Sequence, residues 1–165
     1  MIENLWGKKL NSSIYSGPVI FGNKLFCGVR DKFLYAIDCF TGDEIWSFDT
    51  QGNEVKHICV YGEFVFCSNL GYTLFAIDIK TGDEIWSFKA DSRIGAPPSV
   101  ENDIVYFGSQ FVHKSTDKGD TWTVISPDLT TNDPDKLKQH ESGGLTMDAT
   151  GAENHCTILV ITILQ

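Results

Sequence analysis

The sequence predicts an all-β protein made of four-stranded antiparallel β-propeller blades. The fifteen residues 34–48 return forty positions later as residues 74–88, with twelve identical positions. The same spacing separates Trp6 from Trp46 and Trp46 from Trp86. Apolar runs are short and broken by turn residues, and no long stretch has the spacing of a helix. A period near forty residues built from short strands indicates propeller blades.

Each period divides into four predicted strands, because short apolar runs alternate with turn residues such as Gly22 and Gly62. The predicted strands are 18–21, 25–29, 33–39 and 45–48 in the first period, 58–61, 64–69, 73–79 and 85–88 in the second, and 98–100 and 104–109 at the start of the third.

The segment between third and fourth strands reads Asp-x-x-Thr-Gly-x-x-x-Trp in both copies. Its carboxylate can accept hydrogen bonds from turn amides, its glycine supplies a positive φ, and its tryptophan suits packing between blades. We therefore interpret the motif as structural. Its residues are Asp38, Thr41, Gly42 and Trp46 in the first copy, and Asp78, Thr81, Gly82 and Trp86 in the second.

This motif, with the Ala-Ile that precedes it, resembles the tryptophan-docking motif of PQQ-like, or quinoprotein-type, propeller repeats. The resemblance covers residues 1–110. It implies the propeller fold. It does not select one function, because such repeats occur in quinoprotein dehydrogenases and also in non-catalytic propellers that assemble or scaffold other proteins.

A different pattern follows, in which Ser115, Asp117, Gly119 and Trp122 form Ser-x-Asp-x-Gly-x-Thr-Trp. This segment resembles the Asp-box of BNR repeats, found in sialidases and sortilin-type receptors, and the resemblance covers residues 104–165. We interpret these four residues as structural, with Trp122 expected in the place of Trp86. The predicted domains are thus repeats over 1–110 and a blade over 104–165 that contains a long polar loop, 126–155.

The predicted blades do not add up to a closed ring. A fourth strand at residues 5–9, three blades and a last strand at 156–164 make about three and a half blades, whereas propellers close with about four to eight. Because open sheet edges invite pairing with another chain, we expect an incomplete propeller or one that closes as a homo-oligomer.

Composition excludes several classes of partner. The net charge of −9 argues against nucleic acid, and no apolar run is long enough for a membrane span. The N-terminus lacks a signal-peptide pattern, so the sequence as it stands predicts a cytoplasmic protein, or an extracytoplasmic one if the true start lies upstream. Among five cysteines, Cys27 and Cys67 take equivalent strand positions and are predicted to be core residues.

No enzyme of either resembling family is predicted. A quinoprotein dehydrogenase would need a vicinal cysteine pair, and no two cysteines adjoin. A sialidase would need an arginine triad, and the chain has only Arg30 and Arg93. The acids of the polar loop lack the spacing of a calcium loop. We therefore predict no catalytic residues, no cofactor and no metal.

The function predicted from sequence is a non-catalytic propeller module with a protein-interaction or scaffold role, binding a protein or glycan. The alternative is a fragment of a larger PQQ-repeat or BNR-repeat protein without independent activity. Propellers bind through loops on their faces. The candidate loops are 49–54, 89–95 and 126–154.

Overall fold

The computed structural model describes residues 6–129, which form three four-stranded antiparallel sheets and contain no helix. Each sheet is one blade, and its strands are hydrogen-bonded in chain order. Blade 1 contains β1 (Val19–Phe21), β2 (Lys24–Gly28), β3 (Phe33–Asp38) and β4 (Glu44–Asp49). Blade 2 contains β5 (Val55–Tyr61), β6 (Phe64–Asn69), β7 (Thr73–Asp78) and β8 (Glu84–Lys89). Blade 3 contains β9 (Ser99–Glu101), β10 (Ile104–Gly108), β11 (Val112–Ser115) and β12 (Thr123–Val124).

The predicted fold class is confirmed, and within residues 6–129 the blades do not close into a ring. Except for β5, the predicted strand bounds lie within one residue of the observed ones. Strand β5 begins three residues earlier, at Val55, where a register shift separates Val55 from His57. Val55 is fully buried against Gly28 of blade 1, and this contact extends the strand past the polar pair Lys56 and His57.

The predicted strand at residues 5–9 is wrong, since residues 6–9 form no strand. A fourth strand needs a third strand beside it to complete its hydrogen bonds, and residues 6–129 offer none there. The segment instead lies on blade 1, where Trp6 and Leu10 pack against Cys27 and Tyr35. The predicted strand at 156–164 and most of the polar loop 126–155 lie outside the described residues.

The core lies between blades rather than inside one sheet. Between blades 1 and 2, Phe26 and Phe75 are fully buried, and the ring centroids of Phe48 and Phe75 are 5.3 Å apart. Burying one such side chain contributes about 1.5–3 kcal/mol. Cys27 and Cys67 are fully buried, as predicted, and burial raises the pKa of both thiols.

Candidate functional site

Trp46 shows how one blade docks on the next. It lies on β4 opposite Ala36, whose small side chain leaves room for the indole ring. The indole N–H donates to the carbonyl of Ile79, in the β7–β8 turn of blade 2, at 3.2 Å. A Cβ atom on Gly82 of that turn would lie 2.7 Å from the ring, and Gly82 has a φ of 81°. Space and backbone conformation therefore both require glycine here.

A tryptophan packed on a turn glycine also joins the N-terminal segment to blade 1. An equivalent tryptophan joins blade 2 to blade 3. Trp6 lies over Gly42, and Trp86 lies over Gly119. Each of these indole N–H groups donates to a carbonyl of the turn that it covers, at 2.7 Å. The three repeated tryptophans thus link each element to the next one along the chain.

The carboxylates of the repeated motif organise their own turns. Asp38 Oδ1 accepts hydrogen bonds from the amides of Phe40 (2.8 Å) and Thr41 (3.0 Å), and Asp78 accepts the two equivalent bonds at 2.7 and 2.9 Å. The Thr41 hydroxyl accepts the amide of Asp43 at 3.2 Å. Hydrogen bonds from the turn amides lower the pKa of both Asp38 and Asp78. These side chains therefore hold the hairpin.

The corresponding turn of blade 3 uses a different set of bonds. The Ser115 hydroxyl donates to Asp117 Oδ1 and accepts the amide of Gly119, both at 2.7 Å. Asp117 also accepts the Thr121 hydroxyl (2.6 Å) and amide (2.9 Å). Donation by Thr121 is the main cause that lowers the pKa of Asp117, to about 2. These contacts close the β11–β12 turn.

The prediction that Trp122 takes the place of Trp86 is wrong. In blade 2, Trp86 pairs with Ala76; in blade 3, the equivalent pairing joins Lys114 to Thr123. Because the β11–β12 turn is shorter, Trp122 falls one position earlier, on the opposite face of the strand. It packs back towards blade 2, with ring centroids 5.0–5.7 Å from those of Trp86, Phe88 and Phe107. Its indole nitrogen is buried and has no hydrogen-bond partner among residues 6–129.

Two of the three loops predicted to bind, 49–54 and 89–95, lie at one end of the blades, and most of the third lies outside the described residues. This end, the loop face, comprises residues 30–32, 50–54, 70–72, 90–98 and 109–111. Thr50 N–H donates to the Lys32 carbonyl at 3.0 Å, and Ala90 N–H donates to the Tyr72 carbonyl at 2.9 Å. Candidate loops 49–54 and 89–95 therefore form one surface with the turns between second and third strands.

Aromatic and cationic side chains are paired on the loop face. Lys89 Nζ lies 5.8 Å from the ring centroid of Tyr72, and Arg30 lies 5.0 Å from that of Tyr15. Tyr72 is 41% exposed and has a φ of 62°. Lys32, the equivalent residue of blade 1, has a φ of 77°, so the left-handed conformation belongs to this turn in both blades. The exposed ring is what distinguishes Tyr72 from its counterpart.

Sequence reasoning missed Tyr15 and Tyr72 as candidate interaction residues. The available signal was a deviation from the repeat, since Tyr72 occupies the turn position of Lys32 in blade 1. The two threonines of the repeated motif have the same role. The Thr81 hydroxyl accepts the amide of Asp83 at 3.2 Å, as the Thr41 hydroxyl accepts the amide of Asp43.

Within residues 6–129, no group of three or more His, Cys, Asp or Glu side chains could hold a metal ion. No helix long and apolar enough to cross a membrane occurs in the same residues. The predictions of no metal and no cofactor stay predictions.

Comparison with known proteins gives the family. The profile of the PQQ_2 family, whose description reads "Outer membrane protein assembly factor BamB", matches residues 3–135. No curated protein sequence matches. The crystal structure of BamB from Moraxella catarrhalis has a TM-score of 0.62 at 22% identity, over 73% of this chain and 40% of that one.

Two other solved structures share the fold. The computationally designed Ika4 protein has a TM-score of 0.68 at 20% identity, over 78% of this chain and 81% of that one. Quinohemoprotein alcohol dehydrogenase from Comamonas testosteroni has a TM-score of 0.54 at 19% identity, over 65% and 20%. The chain spans less than half of the BamB structure. With its repeated docking tryptophans and a family match over most of its length, the chain belongs to the PQQ_2 family of β-propeller repeat proteins.

Proposed function

We propose that the chain is a non-catalytic propeller module that binds another protein through its loop face. The observation that carries this proposal is Tyr72, an exposed, left-handed aromatic residue beside Lys89 at the tip of a turn. Tyrosine is enriched among the residues that supply most of the binding energy at protein interfaces. The loop face is therefore the surface best suited to a partner.

The family supports a protein as the partner. Its description names outer membrane protein assembly, so a component of such an assembly is the partner class that we propose. The motif residues are used within the fold: the carboxylates hold turns and the three repeated tryptophans dock blades. Absence of catalysis is part of this proposal, and turnover with PQQ and calcium, or of sialylated glycans, would contradict it.

Affinity capture with matched variants tests the proposal. Tyr72→Asn removes the aromatic ring and keeps a residue that tolerates the left-handed conformation, and Leu70→Ser removes an exposed apolar neighbour. Asp83→Asn, at the opposite end of blade 2, is the control. Quantitative mass spectrometry should show at least a tenfold loss of a specific partner for the loop-face variants and no loss for the control. Equal recovery by all variants would contradict a binding role of the loop face.

A second candidate is a set of blades from a larger propeller, without independent activity. It is favoured by the coverage of only 40% of the BamB structure. Light scattering on a size-exclusion column distinguishes the two. One sharp species with a cooperative thermal transition supports an independent module, whereas aggregates with a broad transition support the larger parent. The Asp-box resemblance of residues 104–165 would fit a junction between blade types in such a parent.

A further inference from the structure

The two repeats differ at one exposed corner. This corner belongs to the turn face, the end of the blades opposite the loop face, which comprises residues 22–24, 38–44, 62–64, 78–84, 101–104 and 116–121. In blade 2, Lys80 forms an ion pair with Glu63 at 2.7 Å. Forty residues earlier, blade 1 has Phe40 and Asn23 at these positions. The Phe40 side chain is 76% exposed, so blade 1 presents an apolar ring where blade 2 presents an ion pair.

A second exposed apolar side chain, Phe21, lies on the strand that leads into the neighbouring turn. The amide of Cys39, the residue before Phe40, donates to the Asn23 carbonyl at 2.9 Å. This bond brings Phe40 close to the β1–β2 turn, which Phe21 (45% exposed) leads into. Ile20, the preceding residue of β1, is on the opposite face of the strand. We call Phe21 and Phe40 the apolar corner. Contiguous exposed apolar groups with a polar surround are typical of interaction sites.

The surround of the apolar corner is strongly acidic. The turn face carries eleven carboxylates and three lysines. Two of the three lysines already face carboxylates, Lys80 at Glu63 and Lys118 at Asp103. Hydrogen bonds from turn amides lower the pKa of Asp38, next to the corner, so this carboxylate stays charged at neutral pH. An acidic surround repels anionic lipid and nucleic acid and attracts a basic partner.

We propose that the apolar corner docks a basic peptide segment of a partner protein, whose apolar side chain covers Phe21 and Phe40 while its Lys or Arg residues face the carboxylates of the surrounding turns. The corner lies at the opposite end of the blades from the loop face, so it is a second interaction surface. The expected partner segment carries Lys or Arg residues on both sides of an apolar side chain.

Fluorescence anisotropy with a labelled probe peptide, Lys-Arg-Leu-Phe-Arg-Lys, tests the proposal on the full chain. We expect saturable binding that weakens at least tenfold in Phe40→Lys, which installs the residue that blade 2 carries at this turn, and in Phe40→Ser, which adds no charge. Ile85→Ser, at an exposed apolar residue of β8 outside both surfaces, should bind the probe unchanged. Raising the ionic strength from about 0.05 M to about 0.5 M should weaken binding, because exposed charges are then screened.

Several results would overturn the proposal. These are an absence of saturable binding to the unmodified chain, equal binding of a peptide with Glu in place of Lys and Arg, or unchanged binding by Phe40→Ser. Light scattering provides a further check: if the chain is a dimer that Phe40→Ser converts to monomer, the occupant is a second copy and the basic-peptide proposal is wrong. None of these results depends on the loop face, so the two proposals fail separately.

Discussion

Replacing Trp46 with alanine tests the docking contact between blades 1 and 2. Trp46 is 8% exposed, its ring centroid lies 5.7 Å from that of Phe26, and its N–H donates to Ile79. Truncating a buried tryptophan costs about 3–5 kcal/mol, which includes the packing lost around the cavity. A domain of this size is stable by about 5–15 kcal/mol in total. The variant should therefore lose a large share of its free energy of unfolding.

Urea denaturation followed by far-ultraviolet circular dichroism measures this loss without relying on tryptophan fluorescence. Ile45→Ala is the matched control, because Ile45 precedes Trp46 on β4 and is 39% exposed, against 8% for Trp46. An exposed substitution of this kind changes stability by about 0.5 kcal/mol or less. If the two variants lie within about 1 kcal/mol of each other, the tryptophan does not hold the blades together and our account of the repeat is wrong.

Three further predictions follow from individual side chains. Trp86→Phe should cost about 1 kcal/mol more than Trp122→Phe in urea unfolding, because only Trp86 loses an indole hydrogen bond. Burial is the main cause that lowers the pKa of His57 from 6.5 to about 4. Between these two pH values the unfolded chain binds a proton that the folded chain does not. The free energy of unfolding should therefore fall by about 1–2 kcal/mol, after allowance for solvent screening, as the pH is lowered from 6.5 to 4. His57→Gln should lack this pH-dependent part, and a pH profile identical to that of the unmodified chain would contradict the assignment. Iodoacetamide should leave Cys27 and Cys67 unmodified in the folded chain, because burial blocks access and raises the thiol pKa, and peptide mapping that finds either one alkylated would show that the strand interior opens.

The fold could be predicted because the sequence contains the same strand–turn–strand motif twice, forty residues apart. A glycine and a carboxylate fix each hairpin, and alternation fixes which strand faces are apolar. Prediction failed where a tertiary contact extended a strand and where a change of turn length shifted a residue to the other face. Val55 extends β5 through its contact with Gly28, and Trp122 faces blade 2 because a shorter turn shifts it by one residue.

The interaction surfaces were only partly predictable. Loops 49–54 and 89–95 were predicted as candidate binding loops, and their binding role stays a prediction. Their union with the turns of the loop face depends on hydrogen bonds between distant residues such as Thr50 and Lys32. Tyr72 and Phe40 depart from the repeat instead of carrying it, so a search for shared motifs passes over them. Comparing aligned repeats for exposed differences would have found both.

Photo-crosslinking from the loop face tests the central claim most directly. A benzoylphenylalanine placed at Tyr72 in living cells should yield one discrete protein adduct, because the ring at this position is expected to contact the partner. The same group placed at Asp83, on the turn face of the same blade, should not give that adduct. No adduct from Tyr72, or the same adduct from Asp83 as from Tyr72, would contradict the claim that this chain binds its partner through the loop face.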